Sequence, residues 1–144
     1  MRTPSLKEMF CRLWRAEGQC RSAQTVEVFG WLILLEGTAL LLAPDLAVDV
    51  LHLPELTTQG ANYLRLAGLL VAGLGMLYVV SGRLNAQGFI FASLLDRPLV
   101  PPVMFVLWWL DVLPAPLALA FAVQDFVSFL WTLAAWRSEQ RGTS

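Results

Sequence analysis

Apolar and polar positions in this chain fall into long blocks, not the short periods of a soluble fold. Residues 26–43 are almost uninterrupted hydrocarbon and stop at Pro44; residues 61–82, 99–113 and 116–136 repeat the pattern. An α-helix needs about 20 apolar residues to cross the hydrocarbon of a bilayer. The blocks therefore predict an all-α polytopic membrane protein, a bundle of four transmembrane helices joined by short polar turns. The third block is short. Pro98, Pro101 and Pro102 suit the first turn of its helix, where backbone donors have no intrahelical partner. The preceding "GFIFASLL" is expected to lie at the interface or to extend that helix through a kink.

Residues 1–25 differ in kind. Ser5 and Glu8 form the S-x-x-E pattern of a capping box. Beyond them Leu6, Met9, Phe10, Leu13 and Trp14 share one helical face, with Lys7, Arg12 and Arg15 toward the other. This is the pattern of an amphipathic helix lying on an anionic inner leaflet; packing of the same helix on the bundle's own loops is the alternative. The basic leader and the length of the first apolar run favour a retained span over a cleaved signal peptide. Residues 137–144 form a short polar tail.

Composition agrees with the blocks. The chain of 144 residues is 57% hydrophobic and only 15% charged, with six Trp and a net charge of −1. No basic, aromatic-interleaved surface suggests nucleic acid as a partner. Charge is placed unevenly along the chain. Arg2, Lys7, Arg12, Arg15 and Arg21 precede the first span, Arg83 and Arg97 fall between the second and third, and Arg137 and Arg141 follow the fourth. The remaining loops carry Asp45, Asp49 and Glu55 but no Lys or Arg. The positive-inside rule then places both termini in the cytoplasm, as in a multi-pass protein of a bacterial inner membrane. Trp31, Trp131 and Trp136 would form an aromatic belt at that interface. Cys11 and Cys20 lack metal-site spacing and read as reduced thiols, and His52 reads as a loop residue.

Against this background four ionisable residues stand out: Glu36 in the first span, Arg65 in the second, Asp111 at the end of the third and Asp125 in the fourth. A charge at the membrane centre costs about 2.5–3.5 kcal/mol on insertion scales, so such residues face a bundle interior and pair with one another. Counted at 1.5 Å per residue from the outer helix ends, they lie roughly 10, 6, 3 and 13 Å deep in that order. The common depth predicts one interior polar cluster. Arg65 shares a face with Gly68, Ala72 and Gly75, small residues that admit a neighbouring helix. Asp125 shares a stripe with Ala118, Ala122, Phe129 and Thr132, and Ala39 and Ala43 lie on the Glu36 side of the first helix. Arg65 is expected to pair with Asp125 or Glu36, leaving the other acid neutral or bound to a cation. Tyr78 completes the candidate set, as an interfacial or packing residue or as part of the cluster. Phe105, Trp108, Trp109 and Phe129 are candidates for an apolar pocket beside the acids, or for bundle packing and lipid contact.

Over residues 30–136, "GWLILLEGTALLLAP", "LRLAGLLVAGLGMLY", Arg83, "DRP" and "QDFVSFLWTLAAWR" resemble the small bacterial four-helix membrane proteins of the DoxX-like and BphX-like kind, a group of mostly unassigned function. The resemblance implies an Arg opening the second helix, a glycine-spaced helix ending in Tyr, and an acid followed by Trp-Thr in the last. Arg65, Gly68, Gly75, Tyr78, Asp125, Trp131 and Thr132 stand at those positions. A narrower likeness, "LILLEG", is similar to the first helix of small multidrug-resistance transporters, which implies proton or cation exchange at Glu36.

Enzyme chemistry finds little support. No spacing of His, Cys or acids suggests a metal, no nucleophile motif is present, and no span carries a His for haem. No cofactor is expected. The function expected is non-enzymatic: an accessory subunit of a larger membrane complex or homo-oligomer, or a protein binding a small amphiphile. A proton-coupled transporter using Glu36 is the first alternative. A cofactor-free membrane enzyme moving protons through Glu36 and Asp125 is the second.

Overall fold

The computed structural model describes residues 4–142. Helix α1 (Leu6–Arg15) is followed by α2 (Arg21–Leu42), α3 (Pro44–Leu51), α4 (Thr58–Arg83), α5 (Gln87–Asp96), a 3-10 turn (Arg97–Leu99), α6 (Val100–Trp109) and α7 (Ala115–Gly142). No strand occurs among the described residues. Four segments are long and apolar enough to cross a bilayer: α2, α4, the continuous run Gln87–Trp109, and α7. The chain is an all-α membrane protein of four spans. The even number leaves both chain ends on one face of the bundle, here called the terminal face.

Where the spans begin differs from the sequence pattern. The third starts at Gln87, not near 99: of the two arrangements expected for "GFIFASLL", the chain adopts the extension of the helix through a kink, and the segment is the first half of the span. The prolines fall in the middle of this span. Pro98 lacks the N–H that would continue the α-helical ladder, and the chain answers with one 3-10 turn before α6 resumes with Pro101 and Pro102 in its first turn. Arg97, counted by the sequence pattern among loop charges, is thereby carried into the membrane. The first loop is also more ordered than expected, since Pro44 opens the short helix α3.

The capping box at the chain's start is present. The Ser5 hydroxyl accepts from the Glu8 amide at 3.3 Å, and the Glu8 carboxylate accepts from the Ser5 amide at 2.8 Å.

Helices α2 and α4 form the tightest pair, running antiparallel over their whole length. Ala23, Gly30 and Gly37 meet Gly82, Gly75 and Gly68 in that order, a repeat of seven residues on each helix. Seven residues are close to two turns, so the small residues stay on one seam. The backbones come so near that a Cβ on Gly30 would stand 2.6 Å from the Val79 nitrogen, and one on Gly68 2.6 Å from the Leu41 nitrogen. A membrane offers no hydrophobic gain for helix association, and dispersion between close backbones takes its place.

The other two spans join this pair unevenly. The core consists of Ala23, Val26, Phe29, Ile33, Tyr78 and Ile90, flanked by Val79 and Leu94. These residues lie toward the terminal face. Nearer the opposite face the buried positions are mostly small, Gly37, Gly68 and Ala118. The bundle is thus knitted at one end and open at the other, where α6 packs chiefly on α7.

Candidate functional site

The polar centre of the bundle forms around Arg97. Its side chain is fully buried although it lies about 15 Å along its span at 1.5 Å of rise per residue. The break at Pro98 places it there, and residues from three other helices receive it. Nη1 donates to the Ser128 carbonyl at 3.2 Å and to Thr132 Oγ1 at 2.9 Å, both on α7. The guanidinium carbon lies 4.0 Å from the centre of the Phe29 ring of α2 and 5.1 Å from that of Tyr78 of α4. Thr25 Oγ1 donates to Thr132 Oγ1 at 3.0 Å, extending the network back to α2.

Nε and Nη2 of Arg97 have no hydrogen-bond partner among the described residues. A buried cation without a full set of acceptors is expensive. Two features offset that cost. The faces of Phe29 and Tyr78 supply negative quadrupole where oxygen is missing, and the Asp125 carboxylate lies within electrostatic reach. Arg97 and Asp125 do not form an ion pair within 4 Å; the ion pairs found among the described residues are Arg15–Glu17 and Arg83–Glu27.

Around this centre the candidate residues separate. Tyr78 is buried in an aromatic column, edge-on to Phe29 at 5.5 Å and to Phe89 at 4.8 Å. Asp125, half-buried, accepts no side-chain hydrogen bond among the described residues; its backbone carbonyl caps Ser128 at 2.9 Å. Glu36 is half-buried one level farther from the terminal face. It accepts from Gln124 Nε2 at 2.9 Å, a bond that crosses from α2 to α7.

Two members of the expected cluster are elsewhere. Arg65 is exposed and donates to Asn62 of its own helix at 3.4 Å, so its expected pairing with Glu36 or Asp125 is not formed. The α2–α4 seam explains this: Gly68 and Gly75 bring backbone to backbone, and no width remains on that side for a guanidinium. Asp111 sits exposed in the tight turn between α6 and α7 with φ 55°. A short polar side chain tolerates the left-handed region better than most, so Asp111 serves the turn. The cation of the polar centre is Arg97, not Arg65.

The aromatic candidates also divide. Phe105 and Trp108 of α6 face Ala115, Pro116, Ala118, Leu119 and Ala122 of α7 across a groove of about 580 Å³, with Met104 at its edge. Trp109 lies on the outer side of α6 in a shallow hollow with Val106 and Leu110. Phe129 lines neither hollow. On α7 the groove residues Ala118 and Ala122 are followed at helical spacing by Asp125, which continues the same stripe of the helix beyond the residues that line the groove.

A second polar assembly stands on the terminal face. Glu27 accepts from Arg83 Nε at 2.7 Å, from Gln19 Nε2 at 2.7 Å and from Trp31 Nε1 at 3.3 Å. Arg83 Nη1 also donates to the Leu13 carbonyl at 3.2 Å, tying α1 to the end of α4. Cys20 Sγ donates to Asn85 Oδ1 at 2.8 Å, and Glu139 accepts from the Ser22 amide at 2.8 Å and hydroxyl at 2.7 Å. These bonds fasten the segment between α1 and α2 to the rest of the bundle.

Among the described residues no three His, Cys, Asp or Glu side chains converge. Comparison of the chain with protein-family models, curated proteins and solved structures returns no match. The functional reading therefore rests on this chain's own residues.

Proposed function

We propose that this is a non-enzymatic membrane protein that binds a small amphiphile, with the α6–α7 groove holding its apolar part and Asp125 receiving its head. One observation carries the reading: an all-apolar groove of about 580 Å³ leads along one helical stripe to a carboxylate without a hydrogen-bond donor. That volume falls within the roughly 300–1,000 Å³ of small-molecule sites. The head would be a hydrogen-bond donor, an amine or a hydroxyl, since an ionised carboxylate only accepts. Arg97 beside it holds the local charge near neutrality, which favours polar heads over strongly cationic ones.

The membrane that suits this reading is a bacterial inner membrane with both termini in the cytoplasm. Lys7, Arg12, Arg15, Arg21, Arg83, Arg137 and Arg141 belong to the terminal face, whereas Asp45, Asp49, Glu55 and Asp111 lie beyond the opposite helix ends with Arg65 as the nearby cation. Service as an accessory subunit is compatible with amphiphile binding, because the open end of the bundle leaves broad apolar faces for a larger membrane partner or a second copy.

The test is photolabelling of the full chain in detergent with a long-chain alcohol bearing a diazirine in its tail. Adducts are expected on Met104–Trp108 and Ala115–Ala122. They should fall severalfold in Ala122→Trp, which fills the groove, while the variant keeps wild-type helical circular dichroism. Labelling spread evenly over all four spans would overturn the proposal.

Glu36 favours a second reading. Its carboxylate sits in a span, accepts from a neutral partner, Gln124, and forms no ion pair among the described residues. If the chain were a proton-coupled transporter, Glu36→Gln would abolish pH-driven solute uptake in proteoliposomes.

A further inference from the structure

Where α1 meets the end of α4, Arg12, Arg15 and Arg83 line one hollow of about 460 Å³ with Cys11, Glu17, Leu84 and Asn85. We propose that this hollow binds the phosphate of an anionic phospholipid headgroup and so anchors α1 to the membrane surface.

The charges favour an anion. Arg83 is held in place by Glu27 and by the Leu13 carbonyl, which leaves its Nη2 without a partner among the described residues. The Leu13 bond also takes up a carbonyl near the C-terminus of α1, the end at which exposed carbonyls would repel an anion. Arg12 makes no side-chain bond among the described residues. Among the described residues Arg15 pairs only with the exposed Glu17, at 3.6 Å, a contact of little strength in water. Counting Arg12, Arg15 and Arg83 against Glu17 and Glu27 leaves one positive charge, with donors from two guanidinium groups free to turn inward.

The apolar side of α1 identifies the source of that phosphate. Leu6, Phe10 and Trp14 follow one another at i, i+4 spacing and are 79%, 69% and 86% exposed, with no protein surface covering them. They run along the other side of α1 from Arg12 and Arg15, beside the end of a membrane-spanning helix, where acyl chains and headgroups meet. An interfacial helix buries such a face about 5–10 Å into the headgroup boundary. A soluble phosphate compound would use the arginines and leave this face in water; an anionic phospholipid surface takes the apolar face among its acyl chains and offers its headgroup phosphates to the arginines.

The experiment uses the full chain in mixed micelles of phosphatidylcholine and phosphatidylglycerol, with lipid retention read by native mass spectrometry. Wild type should retain phosphatidylglycerol in preference. Arg12→Gln/Arg15→Gln should reduce that preference roughly tenfold to thirtyfold, at about 1 kcal/mol for each basic residue near a charged surface. Both side chains are exposed and Arg83 is untouched, so the fold is retained, as circular dichroism would verify. Arg137→Gln/Arg141→Gln, on the same face but away from the hollow, should keep the wild-type preference. Equal retention of the two lipids by wild type would overturn the proposal, as would equal loss in the two double variants. Displacement of the lipid by millimolar inorganic phosphate would assign the hollow to a soluble anion and overturn it too.

Discussion

Gly73 and Gly75 are two residues apart on α4, yet a methyl group added to each meets opposite surroundings. At Gly73 nothing lies within 4 Å of the new Cβ. At Gly75 it would collide with the backbone nitrogen of Leu34, and it would stand 2.7 Å from the Leu34 Cα and 2.9 Å from the Gly30 carbonyl. All three obstacles are backbone of α2, so no side chain can swing aside and the helices must part. Overpacking of this kind costs about 1–3 kcal/mol. Both substitutions gain helix propensity, up to about 1 kcal/mol in water, and that gain cancels when the variants are compared with each other. Gly75→Ala should therefore be about 1–3 kcal/mol less stable than Gly73→Ala, which itself should match or exceed wild type. Reversible unfolding of the reconstituted protein in sodium dodecyl sulfate, followed by tryptophan fluorescence, measures the difference. Equal stability of the two variants would refute the α2–α4 seam.

Four further outcomes follow from the polar groups. Arg97→Lys retains the charge but cannot reach the Ser128 carbonyl and Thr132 Oγ1 while lying over Phe29. It should lose about 2–3 kcal/mol in the same unfolding assay, and Thr132→Val about 1–2 kcal/mol. Arg65→Gln touches only an exposed contact with Asn62 and should stay within about 0.5 kcal/mol of wild type. Cys11, exposed on α1, should react with a membrane-impermeant maleimide only when the terminal face is accessible; labelling of intact cells from outside would reverse the proposed orientation.

The spans were legible because crossing a bilayer demands length and apolarity, and both are written residue by residue. Ser5 and Glu8 were legible for a similar reason, since a capping box is a local contact. The polar centre was not. Depth counting put Glu36, Arg65 and Asp125 at one level, but depth says nothing of azimuth, and the face Arg65 shares with its glycines is consumed by backbone contact. Arg97 was hidden by its neighbours: three prolines and Asp96 made it look like a loop residue. A signal was present nonetheless. "GFIFASLL" is apolar enough to be the first half of a span, and joining it to α6 gives 23 residues with Asp96 and Arg97 near the middle. Asp111 failed for want of turn chemistry, because its left-handed backbone appears only once the α6–α7 connection is seen to be a tight turn.

The proposed function requires that the groove between α6 and α7 and the Asp125 carboxylate beyond it on the same stripe form one amphiphile site. A high-resolution density map of the full chain, purified with native lipids retained, tests it most directly. A continuous elongated density is expected between Phe105, Trp108, Ala118 and Ala122, ending within hydrogen-bond distance of Asp125. A groove closed by α6 packing flat on α7, with Asp125 turned to a direct ion pair with Arg97, would contradict it.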